Sequence, residues 1–317
     1  MRLVNWLSLA LPILTGCATS IDGQIDGQES APYRIAVDVN LVVLHATVRD
    51  RKGGLVSGLG EPDFKVYENG ILQSIRLFRH EDLPVTVGLV VDHSGSMRPK
   101  LMHVGAATRT FVRSSNPDDQ IFVVNFNEKV TLGLPRAIQF TDRPEELAFA
   151  ILNAPATGRT ALYDAVAQAL DRLQDGSRDR KVLIVISDGG DNASTYKLAE
   201  VLSAAAKSSA AIYTIGIFDE DDPDRNPDVL RRLARETGGE AFFPGQLDDV
   251  IAICESIARD IRNQYTIGYA PNGMGRPGAY RTVRVEAGMA GHGRLSVRAR
   301  TSYIAGGPAP VRDERAK

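Results

Sequence analysis

The chain has 317 residues, 43% of them hydrophobic and 24% charged, with 37 Lys and Arg against 39 Asp and Glu and a formal net charge of −2. This is a globular composition with length enough for two domains. The balance of charge, with no basic stripe interleaved with aromatics, excludes nucleic acid as a partner, and two cysteines exclude a disulfide framework.

In chain order, the first element is an export signal over residues 1–17. Met1-Arg2 precedes the apolar stretch Leu3 to Leu14, which falls short of the roughly 20 apolar residues that a bilayer span needs. Leu14-Thr15-Gly16-Cys17 resembles the bacterial lipoprotein processing box. The resemblance implies that Cys17 is acylated and becomes a membrane anchor; the alternative is an ordinary cleaved signal with Cys17 incidental. Ala18 carries no acidic retention signal, so the outer membrane is expected in a two-membrane organism. Residues 18–33 are polar and Gly-containing and read as a flexible tether.

A β-rich flank is expected over 34–82. Ile35, Val37, Val39, Leu41 and Val43 repeat with period two, which predicts half-buried strands with these residues on one face. Asn69-Gly70, between Phe64–Tyr67 and Ile71–Ile75, is a type I′ hairpin signal.

From 83 to 264 strands and helices alternate. Val85 to Val91, Ile121 to Phe126, Val182 to Ile186 and Ile212 to Ile217 are strands; helices start near Ala161 and run near Lys197 to Lys207. This is the βα pattern of an α/β fold with a doubly wound, mostly parallel sheet. Asn226-Pro227-Asp228 opens a further helix with a cap, a proline at the first position and an early acid, and Gly238-Gly239 ends it. The acidic run 219–224 lacks the glycine-centred spacing of a calcium loop and reads as solvated loop.

Three strand-to-helix junctions in this region carry oxygen donors. Asp92-His93-Ser94-Gly95-Ser96 follows the first strand, Gly158-Arg159-Thr160 precedes the helix from Ala161, and Ser187-Asp188-Gly189 closes the strand ending at Ile186. The carboxyl edge of an open α/β sheet is where ligands bind, and hydroxyls with carboxylates suit a hard cation such as Mg²⁺, Mn²⁺ or Ca²⁺. The same residue types are also preferred helix caps. Asp164 and Asp191 read as caps, because a carboxylate in a first helical turn favours the helix dipole.

Asp92-x-Ser94-x-Ser96 followed by Thr160 and Asp188 resembles the metal-ion-dependent adhesion site of von Willebrand factor type A domains, over about residues 83–265. A narrower resemblance, to bacterial secreted proteins that carry this domain between β-rich flanks, covers most of the mature chain. The family implies that Ser94 and Ser96 are direct ligands, that Thr160 is direct in one state and water-bridged in another, and that Asp92 and Asp188 act largely through waters. Mg²⁺ is the expected cofactor, with Mn²⁺ or Ca²⁺ as alternatives. A partner protein's Asp or Glu then completes the coordination. His93 stands where similar sequences often carry a small or hydroxylated residue, and a changed rim is expected.

The C-terminal flank, 265–305, alternates again in Tyr265 to Tyr269, Tyr280 to Val285 and Leu295 to Ala299. Each flank is too short for a secure core, but together they approach the roughly 100 residues of a β-sandwich, so they are expected to pack as one domain around the inserted 83–264. Cys254 lies among apolar residues at helical spacing and reads as a buried, inert thiol; residues 306–317 read as a disordered tail.

The function expected is a non-enzymatic, metal-dependent protein-binding module for adhesion or assembly on the bacterial cell envelope. Two others stand beside it: a structural envelope protein whose metal serves only stability, and a hydrolase with Ser94 as nucleophile. The hydrolase lacks the two glycines of a nucleophile elbow, since Asp92 and Ser96 stand in their places.

Overall fold

The computed structural model describes residues 41–218, 225–271, 278–289, 291 and 294–306. The expectations for the export signal with Cys17, the tether, Ile35 to Val39, the acidic run and 307–317 therefore lie outside the described residues.

In chain order the strands and helices are β1 (Val42–Arg49), β2 (Phe64–Glu68), β3 (Ile71–Gln73), β4 (Ile75–Arg79), β5 (Val85–Asp92), α1 (Leu101–Ser114), β6 (Gln120–Phe126), β7 (Val130–Leu132), α2 (Pro144–Leu152), α3 (Leu162–Leu173), β8 (Arg180–Ser187), α4 (Leu198–Lys207), β9 (Ala211–Gly216), α5 (Pro227–Thr237), β10 (Ala241–Phe242), α6 (Asp249–Arg262), β11 (Tyr265–Tyr269), β12 (Tyr280–Ala287), β13 (Ser296–Arg298) and β14 (Ser302–Ile304).

Six strands form the central sheet in the order β10-β9-β8-β5-β6-β7. All pairings are parallel except that of β7, which runs antiparallel to β6 at one edge. β5 lies between β8 and β6, and all eight of its residues are buried. That is why its sequence is a continuous apolar run rather than an alternation: both faces of a parallel sheet are covered by helices. α1 packs against α2 and α6, and α4 against α3 and α5, so the helices form two layers. α3 buries Leu162, Ala165, Val166, Ala169, Leu170 and Leu173, one stripe at helical spacing, and each fully buried leucine or valine there contributes about 1.5–3 kcal/mol. α5 starts and stops on local chemistry. The Asn226 side chain accepts from Val229 N at 3.3 Å, Pro227 opens the first turn, and Gly238 ends it at φ +86°.

Two further antiparallel sheets, β13-β1-β11-β4 and β14-β12-β2-β3, draw strands from both sides of the central region. They enclose one core, with Leu44, Val66, Tyr265, Ile267, Tyr269 and Val283 among its buried members. Asn69 (φ +48°) and Gly70 (φ +81°) make the turn between β2 and β3, the paired left-handed conformation that a type I′ hairpin requires. Inside the sandwich, buried Glu68 accepts Tyr269 Oη and Tyr303 Oη, both at 2.7 Å, and pairs with Arg281.

The face expected of β1 is corrected. Val43 is only half-buried, whereas Leu44, Ala46 and Val48, on the opposite face, enter the sandwich core. The physical reason is that both faces of β1 are covered. The odd-numbered face meets the α/β domain through polar groups: Gln264 Nε2 donates to Thr47 Oγ1 at 3.4 Å, and Arg49 NH2 to Asp260 Oδ1 at 2.6 Å. The run Ile71–Ile75 also divides, β3 pairing with β2 and β4 with β11.

The sandwich meets the amino edge of the central sheet, where strands begin. Arg180, the first residue of β8, donates to Ile261 O at 2.5 Å and Gln264 Oε1 at 2.7 Å. Fully buried Asp260 accepts from Arg49 and also from Arg298, which pairs with Glu240 as well.

Candidate metal centre

The opposite, carboxyl edge holds the oxygen donors. Asp92 ends β5 with no exposed surface, and both of its oxygens are fixed: Oδ1 accepts the Ser94 amide at 2.7 Å and Oδ2 accepts Ser187 Oγ at 2.6 Å. The end of β5 is thereby tied to the end of β8. Beyond Asp92 the chain turns through Gly95–Met97 in a short 3₁₀ helix, which brings Ser94 Oγ and Ser96 Oγ to 3.1 Å of each other. Ser96 Oγ donates to Asp188 Oδ2 at 2.6 Å; its one proton being used there, the Ser94 hydroxyl donates to Ser96. Asp188 Oδ1 accepts the Gly190 amide at 3.3 Å.

Four of the five expected residues, Asp92, Ser94, Ser96 and Asp188, thus lie in one hydrogen-bonded network. Thr160 sits on a loop stitched to both of the others. Its amide donates to Asn192 Oδ1 at 3.0 Å, and its carbonyl accepts the amides of Asn192 and Ala193 at 3.0 and 3.1 Å. Gly95 N donates to Gly158 O at 3.3 Å and Thr157 N to His93 O at 2.9 Å. The Thr160 hydroxyl has no hydrogen bond to a described residue, although the residue is 94% buried by its 6% exposure, so that oxygen is available to a ligand.

Burial, and then the nearby charge of Asp188, push the Asp92 carboxyl up to about 6, against the hydrogen bonds from Ser187 and Ser94. Two carboxylates held out of water close to one another are each more stable ionised when a cation stands by. Among the described residues no cluster of three or more His, Cys, Asp or Glu is present. The donor set is two carboxylates and three hydroxyls, hard oxygens that fit a hard divalent cation.

Asp164 and Asp191 are spent on backbone amides. Asp164 accepts from Thr195 N at 2.9 Å and Tyr196 N at 2.8 Å; Asp191 Oδ1 accepts from Tyr163 N at 3.3 Å and Ser194 Oγ at 2.5 Å. The first turn of α3 and the 191–197 loop therefore cap each other. His93 corrects the expectation of a changed rim. It is 1% exposed, and its Nδ1 and Nε2 lie 3.0 Å from Val91 O and 2.9 Å from Ile151 O, so the ring braces the end of α2 from within.

Sequence reasoning passed over three contributors. Ser187 orients Asp92, Asn192 holds the Thr160 backbone, and Lys100, 2% exposed, donates to Ile217 O at 2.9 Å just past β9. Only Ser187 left a signal, as a hydroxyl beside Asp188 at the end of an apolar strand. Gly189 is a steric requirement: its φ is +80°, and a Cβ there would lie 2.6 Å from Asn226 O.

A doubly wound sheet flanked by helices, with ligand-type oxygens on three loops at its carboxyl edge, defines an α/β ligand-binding class. Within that class, the von Willebrand factor type A domain model matches residues 86–252, more than half of the chain, and the protein belongs to that family. Among solved structures it is similar to a von Willebrand factor type A protein from Catenulispora acidiphila, with 16% identity and a TM-score of 0.50 over 84% of this chain and 75% of that one. It is also similar to proximal thread matrix protein 1 from the mussel byssus, in a form with a zinc-occupied MIDAS motif, at 17% identity and a TM-score of 0.50 over 62% of this chain and 50% of that one. At these identities the likeness is one of fold. No curated protein matches the sequence.

Proposed function

We propose that this protein is a non-enzymatic, metal-dependent protein-binding module for adhesion or assembly, held on the bacterial cell envelope by a lipid on Cys17, in the outer membrane where there are two. The observation that carries the reading is the buried pair Asp92 and Asp188, joined through Ser94 and Ser96 at the carboxyl edge. Ser94, Ser96 and Thr160 would hold a divalent cation with Asp92 and Asp188, most readily Mg²⁺, with Mn²⁺ or Ca²⁺ as alternatives. Bound there, the cation would supply a Lewis-acidic position for an Asp or Glu of a partner protein. The protein's own part is preorganisation: Ser187 and the Ser94 amide orient Asp92, Asn192 holds the Thr160 loop, and His93 braces the floor. The zinc-occupied MIDAS motif of the mussel protein supports a divalent cation in general.

Against a hydrolase stands the environment of Ser94. Its hydroxyl donates to Ser96, and both ring nitrogens of the neighbouring His93 face carbonyls, so that imidazole is not placed to activate Ser94.

Titration calorimetry with Mg²⁺ and Mn²⁺ tests the metal. Wild type is expected to bind one ion with modest affinity, and Asp92→Ala and Thr160→Ala to lose most of it. Absence of divalent binding at millimolar concentrations would overturn the proposal. Metal binding that stabilises the fold while captured envelope partners ignore chelator would favour the structural reading. For the anchor, Cys17→Ser is expected to leave an uncleaved precursor or a protein released from detergent phase; unchanged processing and partitioning would refute lipidation.

A further inference from the structure

The three ligand-bearing loops are bridged in pairs by two exposed arginines. Arg98, two residues after Ser96, donates through Nε and NH2 to Ala156 O at 3.1 and 2.8 Å, on the loop that carries Thr160. Arg159, adjacent to Thr160, reaches with NH1 to Asn192 O at 3.4 Å, on the loop that follows Asp188. Each guanidinium is thereby fixed at the rim by a carbonyl, keeps further N–H groups toward solvent, and has no ion pair with a described carboxylate. On α1, α5 and α6 of the same domain, by contrast, Arg109, Arg232 and Arg259 pair with Glu145, Glu236 and Glu255. Of the rim carboxylates, Glu128 is held by the Arg159 amide at 3.0 Å and Asp164 and Asp191 are occupied by backbone amides.

We propose that Arg98 and Arg159 are specificity-determining contacts that select a partner segment with acidic residues on both sides of the coordinating Asp or Glu. This rests on the metal-dependent carboxylate reading above and adds the chemistry of the partner: an acidic peptide segment rather than an isolated carboxylate. A guanidinium held by one face to a carbonyl is preorganised, so it loses little freedom on meeting a carboxylate. Two exposed pairs of this kind give a modest, salt-sensitive gain, about three- to tenfold in affinity together.

The test uses the full chain with millimolar Mg²⁺ and two capped peptides, acetyl-Gly-Asp-Gly-amide and acetyl-Glu-Asp-Glu-amide, binding being read from the transverse relaxation of peptide protons. Wild type is expected to favour the acidic peptide by about three- to tenfold at low salt, with the advantage fading by about 0.5 M NaCl as screening shortens to a few ångströms. In R98Q/R159Q the advantage is expected to vanish while the Gly-Asp-Gly affinity stays within about twofold; R98K/R159K is expected to restore part of it. Equal binding of the two peptides to wild type, or an advantage that survives in R98Q/R159Q, would overturn the inference alone. A parallel loss of both peptides in R98Q/R159Q would make the arginines loop staples and overturn it as well. If neither peptide binds, or both ignore chelator, the carboxylate reading falls and this inference with it.

Discussion

The two edges of the central sheet treat buried charge in opposite ways. At the amino edge, Asp260 is fully buried and meets two arginines, Arg49 and Arg298, with Glu240 and Gln264 completing the network. At the carboxyl edge, Asp92 is equally buried, but its charged neighbour is another carboxylate, Asp188, and its hydrogen bonds come from neutral donors. The first arrangement neutralises its charges within the fold and joins the sandwich to the central sheet; the second leaves negative charge unbalanced where the loops open to solvent. An α/β domain can thus spend ion pairing on architecture at one edge and withhold it for a ligand at the other.

The largest effect is expected from breaking the neutralised edge. Asp260→Ala would leave Arg49 and Arg298 with Glu240 as their remaining carboxylate, between the sandwich and the α/β region, and should cost about 3–5 kcal/mol, read as a lowered urea midpoint. Two residues on, Arg262 pairs with Asp82 at 2.7 Å, with side chains 44% and 34% exposed. Arg262→Gln should cost at most about 1 kcal/mol, because solvent screens that pair. Equal costs would contradict the contrast between buried and screened charge.

At the other edge the sign reverses. The folded carboxyl of Asp92 titrates near 6 rather than at 3.8, so between those pH values the folded chain holds a proton that the unfolded chain has released. Stability from this group is full below about 4 and falls as pH rises through 6, by on the order of 2–3 kcal/mol. In chelator, wild type should lose stability across that window; Asp92→Asn should flatten the profile, gain stability at pH 7 and bind no metal. Proton and cation compete for the same carboxylate, so metal affinity should drop by roughly tenfold per unit as pH falls below 6. A chelated wild type that gains stability from pH 4 to 6, with Asp92→Asn less stable at pH 7, would show that the edge is not under-neutralised.

A smaller effect is expected at Gly189, whose left-handed backbone and close approach to Asn226 O leave no room for a side chain. Gly189→Ala should cost about 1–3 kcal/mol and weaken metal binding with it, because Asp188 is its neighbour and Asn226 caps α5. Thermal unfolding with and without Mg²⁺ separates the two losses.

The parts legible in sequence were those whose cause is local. The strands β5, β6, β8 and β9 are apolar because both faces are covered, and the Asp92 and Asp188 segments begin where two such runs stop, whereas Thr160 lies on the connection from α2 to α3 and was legible only through the family motif. The cap and stop of α5 depend on Asn226, Pro227 and Gly238 alone. What depended on distant partners was hidden. The face of β1 could not be read from alternation, since its polar side is buried against Asp260 and Gln264, more than 200 residues away. His93 looked like a rim residue because the carbonyl it braces, that of Ile151, belongs to another helix. Asn192 and Lys100 act through backbone carbonyls and amides, contacts that no residue pattern records.

The smallest effect on stability is expected at Thr160, and it separates ligation from architecture most cleanly. The backbone of this residue is fixed by Asn192 and Ala193, whereas its hydroxyl has no hydrogen bond to a described residue. Removing that oxygen therefore strands no partner, and the cost in chelator should stay below about 1 kcal/mol, mostly lost packing of a methyl group. Thr160→Ser keeps the oxygen and should keep the metal; Thr160→Ala loses one of three neutral donors, and its Mg²⁺ affinity should fall by roughly tenfold or more. Denaturation in EDTA measures the first quantity and calorimetry the second. A Thr160→Ala protein that unfolds much more easily yet binds Mg²⁺ as wild type does would assign the hydroxyl to the fold, and the carboxyl edge would then have to hold its cation with Ser94 and Ser96 as the only hydroxyl donors.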